Sequence, residues 1–302
     1  MKRKAGWSVT ITIAAVQMDV RLMVREANLS AMESALGEAA GAGAKLVIFP
    51  EAAVTGYCYQ SLAEAMPYGE AVPGESIQHI GPVCRELGVF AIYGTLERVG
   101  DHLHNVALLV GPEGLLGCYR KMHLPYLGID RFTSRGQEPA EVYELAGLRL
   151  GMLICYDLGF PEAARCLAVG GADLVVLITN SPPEASLPNQ IGPAARAWEN
   201  QIYFVAVNRI GHERGVDFIG QSRICDPWGQ TLAEGPEGEA DILYAQVDPE
   251  VARQKRRVIK PGQYEYDRIA DRRPELYGRL VEPNMEQGVQ TRVLPPKSRK
   301  QR

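Results

Sequence analysis

The sequence, 302 residues long, predicts an α/β protein whose mixed sheets are covered by helices. Three observations carry that prediction. Short apolar runs rich in Val, Ile and Leu alternate with longer Ala-rich stretches of helical period, the order expected where helices pack on sheets. The apolar runs lack polar alternate positions, so their strands should be buried on both faces. Two runs are joined by a Gly-Pro-Glu-Gly turn in "HNVALLVGPEGLLGCYRK", a hairpin that makes the sheets mixed rather than wholly parallel.

In chain order, "SVTITIAAV" gives the first strand, over Val9–Val16. The basic stretch before it looks like a weak signal peptide, but Gln17 and Asp19 stand where a small-residue cleavage site belongs. Residues 1–8 are therefore read as a leader, and the expected location is cytoplasmic. Glu26–Ala42 has helical period and ends at "GAGAK", where glycines stop the helix before the strand Lys45–Phe49. A helix over Ser76–Leu87 leads into the strand Val89–Thr95. The hairpin follows, with its first strand over Val106–Gly111 and its second running to Lys121. Beyond a long loop, Tyr126–Glu141, come the strand Leu148–Cys155, the helix Pro161–Val169 and the strand Leu174–Thr179. Pro161 suits the first turn of its helix and Glu162 the positive end. A second long loop, Ser181–Gly192, precedes the helix Pro193–Asn200 and the strand Tyr203–Asn208; Leu243–Val247 closes the series. Loops of that length suggest function.

No repeat or internal linker divides the chain, so residues 9–262 are read as one domain. Residues 263–302 are read as a C-terminal extension, partly disordered or packed on a partner subunit. From Glu282 onward the sequence is polar, with five Lys/Arg against two Glu, net +3.

Composition excludes several classes. A net charge of −4 argues against nucleic acid as a partner. No apolar run approaches the roughly 18 residues of a membrane span, so no membrane partner is expected. The six cysteines are scattered without a CxxC pair and the five histidines do not cluster, so neither a metal site nor a disulfide framework is expected. No cofactor is called for, and no G-x-S-x-G elbow points to a serine hydrolase.

Three apolar strands end in a chemically active group: "KLVIFPE" in Glu51, "GLLGCYRK" in Lys121 and "LRLGMLICYD" in Cys155. Sites in α/β sheets gather at the carboxyl ends of strands. Singly, each group is ordinary: a capping Glu, a solvated Lys, a core Cys. Together they supply a base, a cation and a nucleophile, the set that acyl transfer needs.

The segments "VIFPEAAVTGY", "YRKMHLP" and "ICYDLGFPE" resemble the signatures of the nitrilase superfamily of carbon–nitrogen hydrolases, with "GADLVVLITN", "RAWENQIYFVAVN" and "GQSRICDPWG" in support. The resemblance covers roughly residues 8–260 in collinear order. It implies a single-domain, four-layer αββα sandwich of two mixed sheets, assembled as a homodimer or a higher homo-oligomer. It also implies a Glu–Lys–Cys triad, carried here by Glu51, Lys121 and Cys155, with the backbone N–H of Tyr156 as an oxyanion donor. Family members often carry a further Glu in the loop after the Lys. In "LPYLGIDRFTSRG" the acid at that place is Asp130, either in that part or as an ion-pair partner of Arg131 or Arg135; Glu138 is a weaker candidate. Tyr57, Tyr126, Phe132, Asn180 and Ser181 follow strand ends and are expected to line the substrate pocket. Tyr156-Asp157 after the nucleophile, rather than Trp-Glu, looks like the amidase and carbamoyl-hydrolase branches; Gly159 stands where many of those members have Arg. The resemblance thus implies a hydrolase that converts a small linear amide to acid and ammonia through a thioester. An N-carbamoyl amine or amino-acid hydrolase comes next and a nitrilase third. An inactive scaffold or regulatory binder of the same fold is the non-enzyme alternative.

Overall fold

The computed structural model describes residues 10–282. The leader at 1–8 and the part of the extension beyond 282 lie outside the described residues. The first half runs β1 (Ile11–Gln17), α1 (Arg25–Gly41), β2 (Leu46–Ile48), α2 (Leu62–Ala65), α3 (Glu75–Leu87), β3 (Phe90–Val99), β4 (His102–Gly111) and β5 (Gly114–Arg120). The second half runs β6 (Val142–Leu145), β7 (Leu148–Ile154), α4 (Pro161–Val169), β8 (Leu174–Thr179), α5 (Ser186–Asn200) and β9 (Tyr203–Asn208). It continues with β10 (Ile210–Glu213), β11 (Val216–Ile219), β12 (Arg223–Cys225), β13 (Thr231–Glu234) and β14 (Asp241–Val247), then α6 (Pro249–Arg253), β15 (Arg257–Lys260) and β16 (Tyr264–Tyr266).

Two six-stranded sheets form, in the orders β14-β1-β2-β3-β4-β5 and β13-β12-β9-β8-β7-β6. In the first, β1, β2 and β3 are parallel neighbours; in the second, β7, β8 and β9 are. The hairpin β4–β5 and the pair β6–β7 are antiparallel. Both sheets are therefore mixed, the first in part through the hairpin that the Gly-Pro-Glu-Gly turn closes.

The strand period of two decides which layer each side chain joins. Ile13 and Ala15 of β1 enter the core between the sheets with Ile48, Ile92, Leu109, Met152 and Val176. Ala14 and Val16 point the other way, into a layer with Leu29, Met32 and Leu36 of α1 and Ile77 and Ile80 of α3. Ala163, Leu167 and Ala197 from α4 and α5 cover the outer face of the second sheet. The result is the αββα sandwich.

One expectation is corrected. The loop Ser181–Gly192 is helix from Ser186 onward, and Pro193 lies inside α5 rather than at its start. Asn189, Pro193, Ala197 and Asn200 are its buried residues, a helical stripe that outweighs the proline's missing N–H. The boundary placed after Gly262 falls in the turn of the β15–β16 hairpin. Residues beyond it pack back on α5: the Arg268 guanidinium lies 4.0 Å from the Trp198 ring centroid, and the Arg268 N–H donates to Gln201 Oε1 at 3.0 Å. Among the described residues no helix is long and apolar enough to cross a membrane.

Candidate active site

Glu51 follows β2, Lys121 follows β5 and Cys155 follows β7, so two sheets deliver three groups to one place. Lys121 Nζ donates to Glu51 Oε1 at 2.7 Å and to Asp130 Oδ2 at 2.6 Å, and all three side chains are out of solvent. The lysine's backbone is pinned as well, with its N–H on Asn105 O and its carbonyl accepting from Gly136 N–H. Asn105, on β4, ties the two carboxylates together: its Nδ2 donates to Glu51 Oε1 at 2.7 Å and to Asp130 Oδ1 at 2.9 Å. The second oxygen of Glu51, Oε2, is buried with no partner among the described residues.

Cys155 is half-buried and holds φ +47. That left-handed conformation costs an L-residue about 1–2 kcal/mol, and it turns the chain sharply out of β7 into a short helical turn, Cys155–Gly159. Tyr156 belongs to the first turn, where backbone N–H groups lack intrahelical acceptors. Burial first, and then the nearby charge of Glu51, push the Cys155 thiol up to about 12; Lys121, the Thr179 side chain and the backbone of Asn180 pull the other way. Burial also raises Glu51, with Lys121 opposing and Asp130 adding to the rise. Burial pulls Lys121 down, but Glu51 and Asp130 outweigh it and hold the ammonium well above the usual lysine value.

Asp130 is the acid that reaches Lys121, by way of a turn at Gly128–Arg131. Glu138 instead lines a separate cavity of about 330 Å³ with Glu97, Arg120 and Tyr143. The pocket residues expected from strand ends fare unevenly. Tyr57 is fully buried, and its hydroxyl is committed to Asp130 Oδ2 at 2.8 Å, so it braces the acid rather than facing an open pocket. Tyr126 is 89% exposed, on the rim of a cavity of about 310 Å³ with Leu127 and Arg131; its ring is turned to solvent. Phe132 is half-buried in a small cluster with Tyr57 and Ile129, its ring 4.8 Å from the Arg131 guanidinium. Asn180 is buried beside Cys155, and neither polar atom of its carboxamide has a partner among the described residues. Ser181 spends its hydroxyl on Thr179 at 2.8 Å and Asn189 at 3.1 Å, which places it in the frame behind the site.

Asn105, Tyr119 and His123 were not singled out from sequence, and Asp157 only with Tyr156 as a clue to substrate class. A buried polar residue at the head of the apolar run "NVALLV" carries no local signal that would have flagged Asn105. Asp157 and His123 were visible only as parts of the motifs "CYD" and "RKMH". Among the described residues no group of three or more His, Cys, Asp or Glu side chains converges as metal ligands would.

The αββα sandwich with a cysteine at its elbow is the architecture of the nitrilase superfamily. The chain belongs to the Carbon-nitrogen hydrolase family, whose profile matches residues 12–257. It is 37% identical over 273 residues to a "Nitrilase" of Pyrococcus abyssi, covering 89% of this chain and all of that one. It is 33% identical to an "(R)-stereoselective amidase" of a Pseudomonas species, over 84% of this chain and 89% of that one. Among solved structures, a mutant of the amidase from Nesterenkonia sp. AN1 aligns with a TM-score of 0.74 at 25% identity, over 90% of this chain and 97% of that one. That structure shows covalent addition of the acetamide moiety of fluoroacetamide at the active site cysteine.

Proposed function

We propose that this carbon–nitrogen hydrolase converts a small linear amide to its carboxylic acid and ammonia through a thioester on Cys155. The observation that carries the reading is the buried ammonium of Lys121, bridging Glu51 and Asp130 near a cysteine in a strained turn. A binding module has no use for three desolvated charges around a nucleophile.

The electrostatics suggest the order of events. A thiol raised to about 12 is protonated at rest, so attack needs a base that takes its proton as the C–S bond forms. Glu51 offers the unpartnered Oε2 for that proton. The oxyanion then meets the Lys121 ammonium and the backbone N–H of Tyr156. Once Glu51 is protonated, Asp130 keeps a counter-charge on Lys121. Glu51 returns the proton to the departing amine, ammonia leaves, and a water activated by Glu51 releases the acid from the thioester. No cofactor enters any step.

Tyr156-Asp157 after the nucleophile supports amides over nitriles; the relatives include amidases and a "Nitrilase". N-carbamoyl compounds and then nitriles are the alternatives within the family. The oligomer we expect is a homodimer or larger. Ammonia release from a panel of linear amides, N-carbamoyl amines and nitriles tests the reading. Turnover of the amides supports it; preference for another class reassigns the substrate. Full activity in Cys155→Ala would overturn the mechanism.

A further inference from the structure

We propose that Asp157 is a positioning residue that sets the distance between Lys121 and Cys155 by gripping the chain on both sides of the lysine. The inference rests on the reading of Lys121 and Cys155 as the reacting pair.

The Asp157 side chain is fully buried and accepts from four donors. Oδ2 takes the Ile154 N–H at 2.9 Å and the Tyr119 hydroxyl at 2.7 Å. Oδ1 takes the His123 backbone N–H at 3.3 Å and the His123 ring, through Nδ1, at 2.7 Å. These donors come from both sheets. Tyr119 and His123 stand two residues before and two residues after Lys121; Ile154 and Asp157 flank Cys155. One carboxylate therefore closes the elbow over the nucleophile and anchors both flanks of the lysine to it.

The arrangement is stiffened from outside. The Met122 N–H donates to the Tyr119 hydroxyl at 3.3 Å, so the intervening residue is held too. The His123 ring stacks on Phe160 at 3.7 Å between centroids and 8° between planes, which fixes the imidazole that meets Asp157. Lys121 is the charge that opposes burial and Glu51 at the Cys155 thiol. A Coulomb effect falls with separation, so loosening the clamp should make the cysteine less reactive before it makes the protein unfold.

The test is the rate of Cys155 alkylation by iodoacetamide as a function of pH, read at the Cys155 peptide by mass spectrometry, in wild type, Asp157→Asn, Tyr119→Phe, His123→Ala and His123→Asn. An Asn at 157 turns an N–H₂ toward groups that are themselves donors. We expect Asp157→Asn to slow alkylation by about thirtyfold or more, the order that a small displacement of a reacting group produces, and to move its rise to higher pH. Tyr119→Phe and His123→Ala should each show a smaller shift in the same direction. His123→Asn, which keeps a donor near the Nδ1 position, should restore most of what His123→Ala loses. Folded variants whose alkylation keeps the wild-type rate and pH dependence would overturn the proposal. If Asp157→Asn does not fold, Tyr119→Phe and His123→Ala decide the question alone. Alkylation does not depend on the natural substrate. A wild type that hydrolyses no amide but shows this pattern would remove the amidase reading and leave the role of Asp157 standing.

Discussion

Cys155 and Glu51 illustrate how a site is made costly on purpose. Burial works against the charged forms of both residues. Glu51 consequently binds its proton more tightly in the folded chain than in the unfolded one. The stability that this lends is fully present below the unfolded value of 4.5 and is lost as pH rises through the raised folded value. Glu51→Gln, neutral at every pH, should therefore melt higher than wild type at neutral pH, with the gap closing toward pH 4.5. Thermal unfolding across pH checks this, and a gap that widens on acidification would contradict it. In the proposed mechanism Glu51 is ionised when it takes the thiol proton, so the acidic limb of kcat/KM should lie above the usual carboxylate range. Cys155→Ala should release no ammonia above background. Asp130→Asn should lower kcat by about 10²–10³, the scale of losing one preorganised electrostatic partner, with steady-state rates on a saturating amide as the measure.

At the scale of elements, the site depends on close backbone approaches that no motif advertises. Gly94, on β3, lies under the turn that carries Glu51. A Cβ there would meet Ala52 N at 2.2 Å and Glu51 Cα at 2.7 Å. Gly94→Ala should cost about 1–3 kcal/mol by overpacking and reduce activity with it, measured by denaturant unfolding and ammonia release together. Gly128, at φ +49, lets the turn bearing Asp130 press on the Tyr57 ring, where a Cβ would come within 2.2 Å of Cε1. The helix α4 was legible from Pro161 to Val169, and β8 and β9 were legible to the residue, since an apolar run bounded by Gly and a polar residue leaves little freedom. The start of α5 was not legible. Pro193 read locally as the first residue of the helix, whereas the buried stripe through Asn189, Pro193 and Ala197 exists only once the second sheet is there to cover.

Across the whole molecule, the two sheets each bring strand ends to one side, and the reactive groups meet between them. Outside that site, α5 exposes Leu187, Ile191 and Trp198 at 64%, 59% and 50%, three large apolar residues spaced along one helix. A homodimer or larger assembly would cover them. Sedimentation should show such an assembly, and Leu187→Ser with Ile191→Ser should weaken it; a wild type that sediments as a monomer would refute the expectation.

The sequence by itself determined the α/β class, the central strands of both sheets and the three groups at strand ends, because hydrophobic period and strand-end chemistry are local properties of the chain. The family resemblance, rather than the local pattern, pointed to Asp130 by its place after Lys121. Only the tertiary structure decided what those groups touch. Glu51 and Asp130 meet on one ammonium, and Asn105 joins them from a third strand. Tyr57 became a brace and Tyr126 a surface residue. Asp157 proved to link residues 38 apart in the chain, Tyr119 and the elbow. The physical reason is that a hydrogen bond in a desolvated site is set by angle and distance between separate sheets, and the spacing of letters within a motif does not encode either.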